Sequence, residues 1–207
     1  MLSRLLLAGT ALLIFGLLCV LVLQPGALGL DLKIRSGLHE FSSPKLTAVF
    51  VFISQLGSWF VLLSMGVLLA MLMVNRHPEV RTLTITLYGA VALSAALKLA
   101  FHVRRPEPFF GLDTPDTHSF PSAHALVSCC FFLLIADIIS RRIQSRVGQW
   151  CTWLLALCLI TAIGVSRVYL GMQYPSSVLA GYAVAIVWLE VASFSLGRMS
   201  ASLDDVS

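Results

Sequence analysis

Five polar residues at the edges of apolar segments have the types and spacing to hold and cleave a phosphoryl group: Lys98, Arg105, Ser122, His124 and Arg167. Lys98 and Arg105 bracket the stretch KLAFHVRRP, seven residues apart. That is about two helical turns, so they share a face wherever the helix continues. Pro106 disfavours helix at Arg105, which predicts a helix end there. Taken alone, a lysine so near a span end can equally snorkel to the membrane interface. Ser122 and His124 lie in FPSAH, with Pro121 placed to open a helix. A helix N-terminus attracts anions through its dipole and free N–H groups; an ordinary capping serine beside an interfacial histidine is the plainer alternative. Arg167 follows an apolar segment, and Tyr174-Pro175-Ser176-Ser177 opens the next. Three cations, a hydroxyl and helix N-termini together suit a group with several anionic oxygens. A histidine beside them can protonate a leaving oxygen.

The elements that must position these residues are membrane spans. Of 207 residues, 58% are hydrophobic and 12% are charged, against about 25% charged in soluble domains. Mean hydropathy is +0.91. The length suits one helical bundle, so residues 1–207 read as a single membrane-embedded domain. Net charge is +4, with no basic run of the kind that binds nucleic acid. The five cysteines all lie in apolar stretches without Cys-x-x-Cys spacing and read as small packing residues.

Leu5 to Leu23 is apolar over nearly the bilayer-spanning length and reads as a retained first helix rather than a cleaved leader. Gln24 to Lys45 reads as a mixed polar loop, solvated or interfacial, with charges alternating in sign. Leu46 to Val74 is apolar over 29 residues, long for one span. Gly57 and Ser58 suggest a short interfacial or re-entrant helix to about Leu56 and a span from Trp59 to Val74; one long tilted helix is the competing reading. Further spans are expected at Thr82–Phe101, Ser122–Ile139, Trp150–Val165 and Pro175–Leu196. The expectation is an all-α, polytopic, six-transmembrane-helix bundle. Trp59, Trp150 and Trp153 suit interface anchors, Asp137 is spaced to pair with Arg141, and Glu190 within the sixth span calls for a hydrogen bond or ion pair.

Six spans put both termini on one side. Seven basic residues fall on each side of that topology. Setting aside Lys98, Arg104, Arg105 and Arg167, which lie in the candidate site blocks, leaves three on the far side. The positive-inside rule then favours cytoplasmic termini and an extracytoplasmic site, in a plasma (inner) membrane.

Lys-x6-Arg-Pro, then Pro-Ser-x-His, then Ser-Arg within SRVYLGMQYPSSVLAG resembles the type 2 phosphatidic acid phosphatase superfamily. The motifs occupy residues 98–181, and the six-span layout extends the likeness over nearly the whole chain. The resemblance implies a six-helix bundle with an extracytoplasmic site that needs no metal and no cofactor. It implies partners that are lipid phosphates or diphosphates, such as phosphatidate, phosphatidylglycerol phosphate and undecaprenyl diphosphate. By resemblance, Lys98, Arg105, Ser122 and Arg167 cradle phosphate with the backbone N–H of Ala123, and His124 is the general acid. Ala123 stands where the family usually has glycine, a mild departure that keeps the N–H. The third block departs more. The family reads Ser-Arg-x5-His-x3-Asp, which puts Gln173 at the nucleophile position and Ser177 at the orienting position. An amide nitrogen is conjugated and far less nucleophilic than imidazole, and an orienting carboxylate has no purpose without the histidine. By analogy with hydrolytic triads, losing a nucleophile costs on the order of 10⁴ to 10⁶ in rate.

Two functional classes follow: a lipid phosphate or diphosphate phosphohydrolase working through a relocated nucleophile (His118 or His102) or direct water attack, and a non-catalytic lipid-phosphate-binding protein with a regulatory, carrier or assembly role. His39 and His77 read as loop residues outside the site.

Overall fold

Backbone polar groups in hydrocarbon must bond to one another, which leaves helices as the simplest spanning solution. The computed structural model describes residues 2–24, 28–73, 75–112 and 118–204. These form eight helices and, among the described residues, no strand. They are α1 (Leu2–Leu23), α2 (Gly29–Glu40), α3 (Pro44–Leu56), α4 (Trp59–Leu72), α5 (His77–Phe101), α6 (Ala123–Ser140), α7 (Arg146–Tyr169) and α8 (Pro175–Asp204).

Among the described residues, α1, α5, α6, α7 and α8 are each long and apolar enough to cross a membrane. The α3–α4 pair makes a sixth candidate, bent by 50° at Gly57-Ser58. The predicted break therefore falls where the glycine and serine interrupt the apolar run. Val74, the predicted end of that span, lies outside the described residues. The expected spans are present, and α1, α5, α7 and α8 are longer than expected. Most consequentially, α7 runs on to Tyr169, so Ser166 and Arg167 belong to its last two turns rather than following it.

The bundle is organised around α6, which packs against α4, α5, α7 and α8. Its Leu126, Val127, Cys130 and Phe131 join Leu62, Leu83, Leu87, Ile160 and Ala185 in the main core. By contrast α1 lies on the periphery against α8 and leaves most of its leucines exposed, as a lipid-facing helix does. Two of the cysteines, Cys129 and Cys130, are core packing groups, whereas Cys151 and Cys158 are exposed on α7.

The polar groups singled out within spans find partners. Arg4 Nε lies 2.9 Å from Glu190 Oε2, and Arg141 Nε lies 2.9 Å from Asp137 Oδ2. Glu190 is fifteen residues along α8 from Pro175, about 22 Å at helical rise. The start of α1 therefore lies at the opposite end of the bundle from the start of α8.

The largest correction concerns Gln24–Lys45. Residues 25–27 lie outside the described residues, but Gly29–Glu40 is a helix, not a loop. Its buried residues are Asp31 and Arg35, so its polar side faces protein. Nearby, Ser43 caps α3 by accepting from Leu46 N. The Tyr169 hydroxyl lies 3.0 Å from Thr47 Oγ1 and accepts from Ser43 N–H at 3.4 Å, fastening the start of α3 to the end of α7. Tyr169→Phe removes both bonds from a buried ring. We expect a stability loss of about 0.5–1.5 kcal/mol, read as a lower thermal midpoint in detergent.

Candidate functional site

Four helix ends supply the site. α5 stops because His102 adopts left-handed backbone (φ 50°), its N–H donating to Lys98 O at 3.2 Å. Lys98 thus sits in the last turn of α5. The chain then runs without regular secondary structure through Arg105 and closes on itself at Ser119. Ser119 N–H donates to Val103 O at 2.8 Å and Ser119 Oγ donates to Arg104 O at 3.1 Å. These bonds pin both ends of the loop that carries Arg105. Its middle, residues 113–117, is outside the described residues.

After Ser119 comes a cis Phe120–Pro121 bond and then Ser122, which caps α6. Ser122 Oγ accepts from Ala125 N–H at 3.5 Å, and its carbonyl accepts from Leu126 N–H at 3.0 Å. The first-turn N–H groups of Ala123 and His124 precede any intrahelical acceptor. Ser122 N–H donates to Ser177 O at 2.9 Å, joining the start of α6 to the first turn of α8. Gly181 makes that approach possible: a Cβ there would stand 2.7 Å from Ser122 O and 2.9 Å from Ala125 Cβ.

Arg167, 7% exposed, points from the last turn of α7 and donates from Nη1 to Ser54 Oγ of α3 at 2.7 Å. Gly171 takes the left-handed conformation (φ 74°), and the turn folds back so that Met172 N–H and Gln173 N–H both donate to Arg167 O. This carries Gln173, 2% exposed, into the cluster. With its amide oriented as its neighbours require, Gln173 donates to Ser119 O at 2.8 Å and accepts from Arg105 Nη1 at 3.1 Å. Ser177 is 0% exposed, and its Oγ has no hydrogen-bond partner among the described residues, as is true of Arg167 Nε.

The sequence-predicted residues are therefore brought together. Arg105 and Arg167 act electrostatically on Lys98, and all three cations act on half-buried His124. Burial lowers the Arg105 guanidinium from its ordinary value, the direction expected for a cation taken from water. His102 and His118 meet edge to face, ring centroids 4.7 Å apart, beside the Ser119 anchor. Among the described residues no three His, Cys, Asp or Glu side chains gather as a metal site.

Sequence reasoning missed Ser54, Ser119, Asp31 and Arg35. Ser54 and Ser119 carry no local signal, since their roles arise only from packing. Asp31 and Arg35 did carry one: with His39 they recur every four residues, the spacing of one helical face. His39 itself is not a loop residue either; it stacks on Phe109 at 4.1 Å.

The family model described as PAP2 superfamily matches residues 79–197. The chain is 26% identical over 156 residues to an undecaprenyl-diphosphatase of Sulfolobus acidocaldarius, covering 73% of this chain and 70% of that one. It is 29% identical over 147 residues to a decaprenylphosphoryl-5-phosphoribose phosphatase of Mycobacterium tuberculosis, covering 69% and 75%. It is 27% identical over 96 residues to phosphatidylglycerophosphatase B of Bacillus subtilis, a match that spans 46% of this chain and 47% of the relative. The crystal structure of a transmembrane PAP2-type phosphatidylglycerolphosphate phosphatase from Bacillus subtilis superposes with a TM-score of 0.82 at 22% identity, over 92% of this chain and 96% of that one. Aquifex aeolicus LpxE superposes with a TM-score of 0.60 at 20% identity, over 79% and 94%. Both share the fold.

The Ser122–Gly181 contact is backbone against backbone and has little room to yield. Gly181→Ala should therefore destabilise the protein by about 1–3 kcal/mol and speed hydrogen exchange at the Ser122 and Ala123 amides, read by exchange mass spectrometry.

Proposed function

This chain belongs to the PAP2 superfamily, and we propose that it binds a lipid phosphate or diphosphate without turning it over by the phosphohistidine route. Its relatives by sequence are lipid phosphatases. The single observation that carries the proposal is the state of Gln173. The residue at the nucleophile position is a neutral amide held at both ends, by Arg105 and by Ser119 O. No imidazole stands there to form a phosphoenzyme, and Ser177 supplies no carboxylate to orient one.

The residues expected to bind phosphate support the binding part of this reading. Lys98, Arg105 and Arg167 converge, Ser122 caps α6, and the Ala123 N–H lies in the first turn of that helix. These groups match the oxygens of a phosphate, with His124 as the proton donor where a leaving oxygen is present. The role that fits is recognition: regulation, carriage or assembly around a lipid phosphate. The seven basic residues on the side of the termini support cytoplasmic termini and a site facing outward from the plasma (inner) membrane.

A second reading keeps hydrolysis through a relocated nucleophile, favoured by the contact between His102 and His118 beside Ser119.

Purified protein in detergent is expected to bind phosphatidate or undecaprenyl diphosphate. Arg167→Ala should weaken binding about 10- to 100-fold, the loss of a charged hydrogen-bonding partner. Phosphate release should be near background, and Gln173→His/Ser177→Asp should raise it by at least about 10³-fold. Robust release by the unaltered protein would overturn the proposal. Its loss in His118→Ala or His102→Ala would then identify the nucleophile.

A further inference from the structure

We infer that α2 is a strap that positions the phosphate cradle, with Asp31 and Arg35 as its positioning residues. The inference rests on the cradle reading above and adds residues outside its three motif blocks.

The strap joins the two loops that bring Arg105 and Gln173 into the site. Asp31, 5% exposed, accepts from Ser176 N–H at 2.9 Å through Oδ1 and from Ser176 Oγ at 2.5 Å through Oδ2. Ser176 is the second residue of α8, so a carboxylate from α2 caps the N-terminus of α8. The next residue, Ser177, gives its carbonyl to Ser122 N–H. The cap on α8 therefore reaches the first turn of α6 through one peptide.

Arg35, 6% exposed and one turn along, donates from Nη2 to Glu107 O at 2.7 Å and to Gly171 O at 3.0 Å. Glu107 lies two residues after Arg105, and Gly171 two before Gln173. One guanidinium thus bridges the two loops whose side chains meet in the Arg105–Gln173 bond. Its Cζ lies over the Phe109 ring, 4.8 Å from the centroid, and Phe109 N–H donates to Leu170 O at 3.0 Å. His39, a further turn on, stacks on Phe109 at 4.1 Å.

The opposite side of α2 differs in character. Leu30, Ile34 and Phe41 are exposed and share one stripe, while Lys33, Ser36 and Glu40 are exposed on another. Helix α2 thus has a protein-facing polar row, an apolar row and a charged row. The polar row makes the longest-range contacts in the site: Asp31 is 145 residues from Ser176 and Arg35 is 136 from Gly171.

A positioning role predicts loss of cradle order without loss of the bundle. The full chain in detergent would be compared as wild type, Asp31→Ala, Asp31→Asn, Arg35→Ala and Arg167→Ala. Inorganic phosphate affinity, hydrogen exchange across residues 170–178 and exchange across the core of α6 would be measured. In Asp31→Ala and Arg35→Ala, exchange at 170–178 should quicken and phosphate affinity fall, each about five-fold or more, while α6 stays protected. Asp31→Asn keeps an acceptor for Ser176 and should recover much of both.

Unchanged exchange at 170–178 in both alanine variants would overturn the strap. So would a loss of protection that extends through α6, because Asp31 and Arg35 would then be ordinary stability residues. If wild type binds no phosphate, or Arg167→Ala binds it equally well, the cradle reading fails; the exchange arm then still decides the strap.

Discussion

The site depends on holding three like charges together in a bundle built for lipid. Lys98, Arg105 and Arg167 carry like charge, and with Arg167 buried and the other two half-buried, part of the water that would screen them is removed. Each is anchored differently. Lys98 rides on the last turn of a spanning helix, Arg167 on the last turn of another, and Arg105 on a loop pinned at both ends by Ser119. The partners seen for Arg167 and Arg105 include neutral oxygens, from Ser54 and Gln173. A neutral acceptor satisfies a donor without cancelling its charge, so the positive potential stays available to an anion. A carboxylate in either place would have quenched the feature that the site is built around.

Gln173 makes sense within that constraint. A buried polar side chain must have its hydrogen bonds met or it costs about 1–3 kcal/mol per group. An amide offers one donor end and one acceptor end, and the position presents one carbonyl, Ser119 O, and one cation, Arg105. Glutamine fits both demands and carries no charge. Gln173 therefore has both ends of its amide met. Ser177 is the less complete half, since its buried hydroxyl has no partner among the described residues. On the proposed reading, binding and reaction separate here: fold, cations and helix ends would serve binding, while the changes at Gln173 and Ser177 bear on the reaction.

Much of this was legible in the sequence because hydrocarbon imposes a coarse rule. Apolar length located the spans, and Gly57-Ser58 located the bend between α3 and α4. The motif blocks could be placed at one end of the bundle because each adjoins a span boundary. The misreadings share one cause. A pattern of polar residues shows which face of a helix they occupy, but not whether that face meets water or protein. Asp31, Arg35 and His39 occur in a segment whose charges alternate, so Gly29–Glu40 looked solvated. The far partners, at Ser176, Glu107, Gly171 and Phe109, exist only after the bundle has closed. The end of α7 was set too early for a related reason. The apolar run ends before Arg167, yet the helix continues through it, and Arg167 meets Ser54 of α3.

The two helix N-termini at the site are capped differently, one by a carboxylate and one by a neutral serine. Both α6 and α8 point the positive ends of their dipoles at the same region. On α8 that end is already met: Asp31 takes the Ser176 N–H and hydroxyl, a carboxylate at the favoured place for negative charge. On α6 the cap is a neutral serine, whose oxygen accepts from Ala125. The first-turn N–H groups of α6 precede any intrahelical acceptor, and Lys98, Arg105 and Arg167 lie near enough to act electrostatically on His124 in that turn. A fixed carboxylate on one helix and a neutral hydroxyl on the other make the ends unequal. On the proposed reading, a phosphate would gain most at Ser122–Ala123, the end without a carboxylate cap.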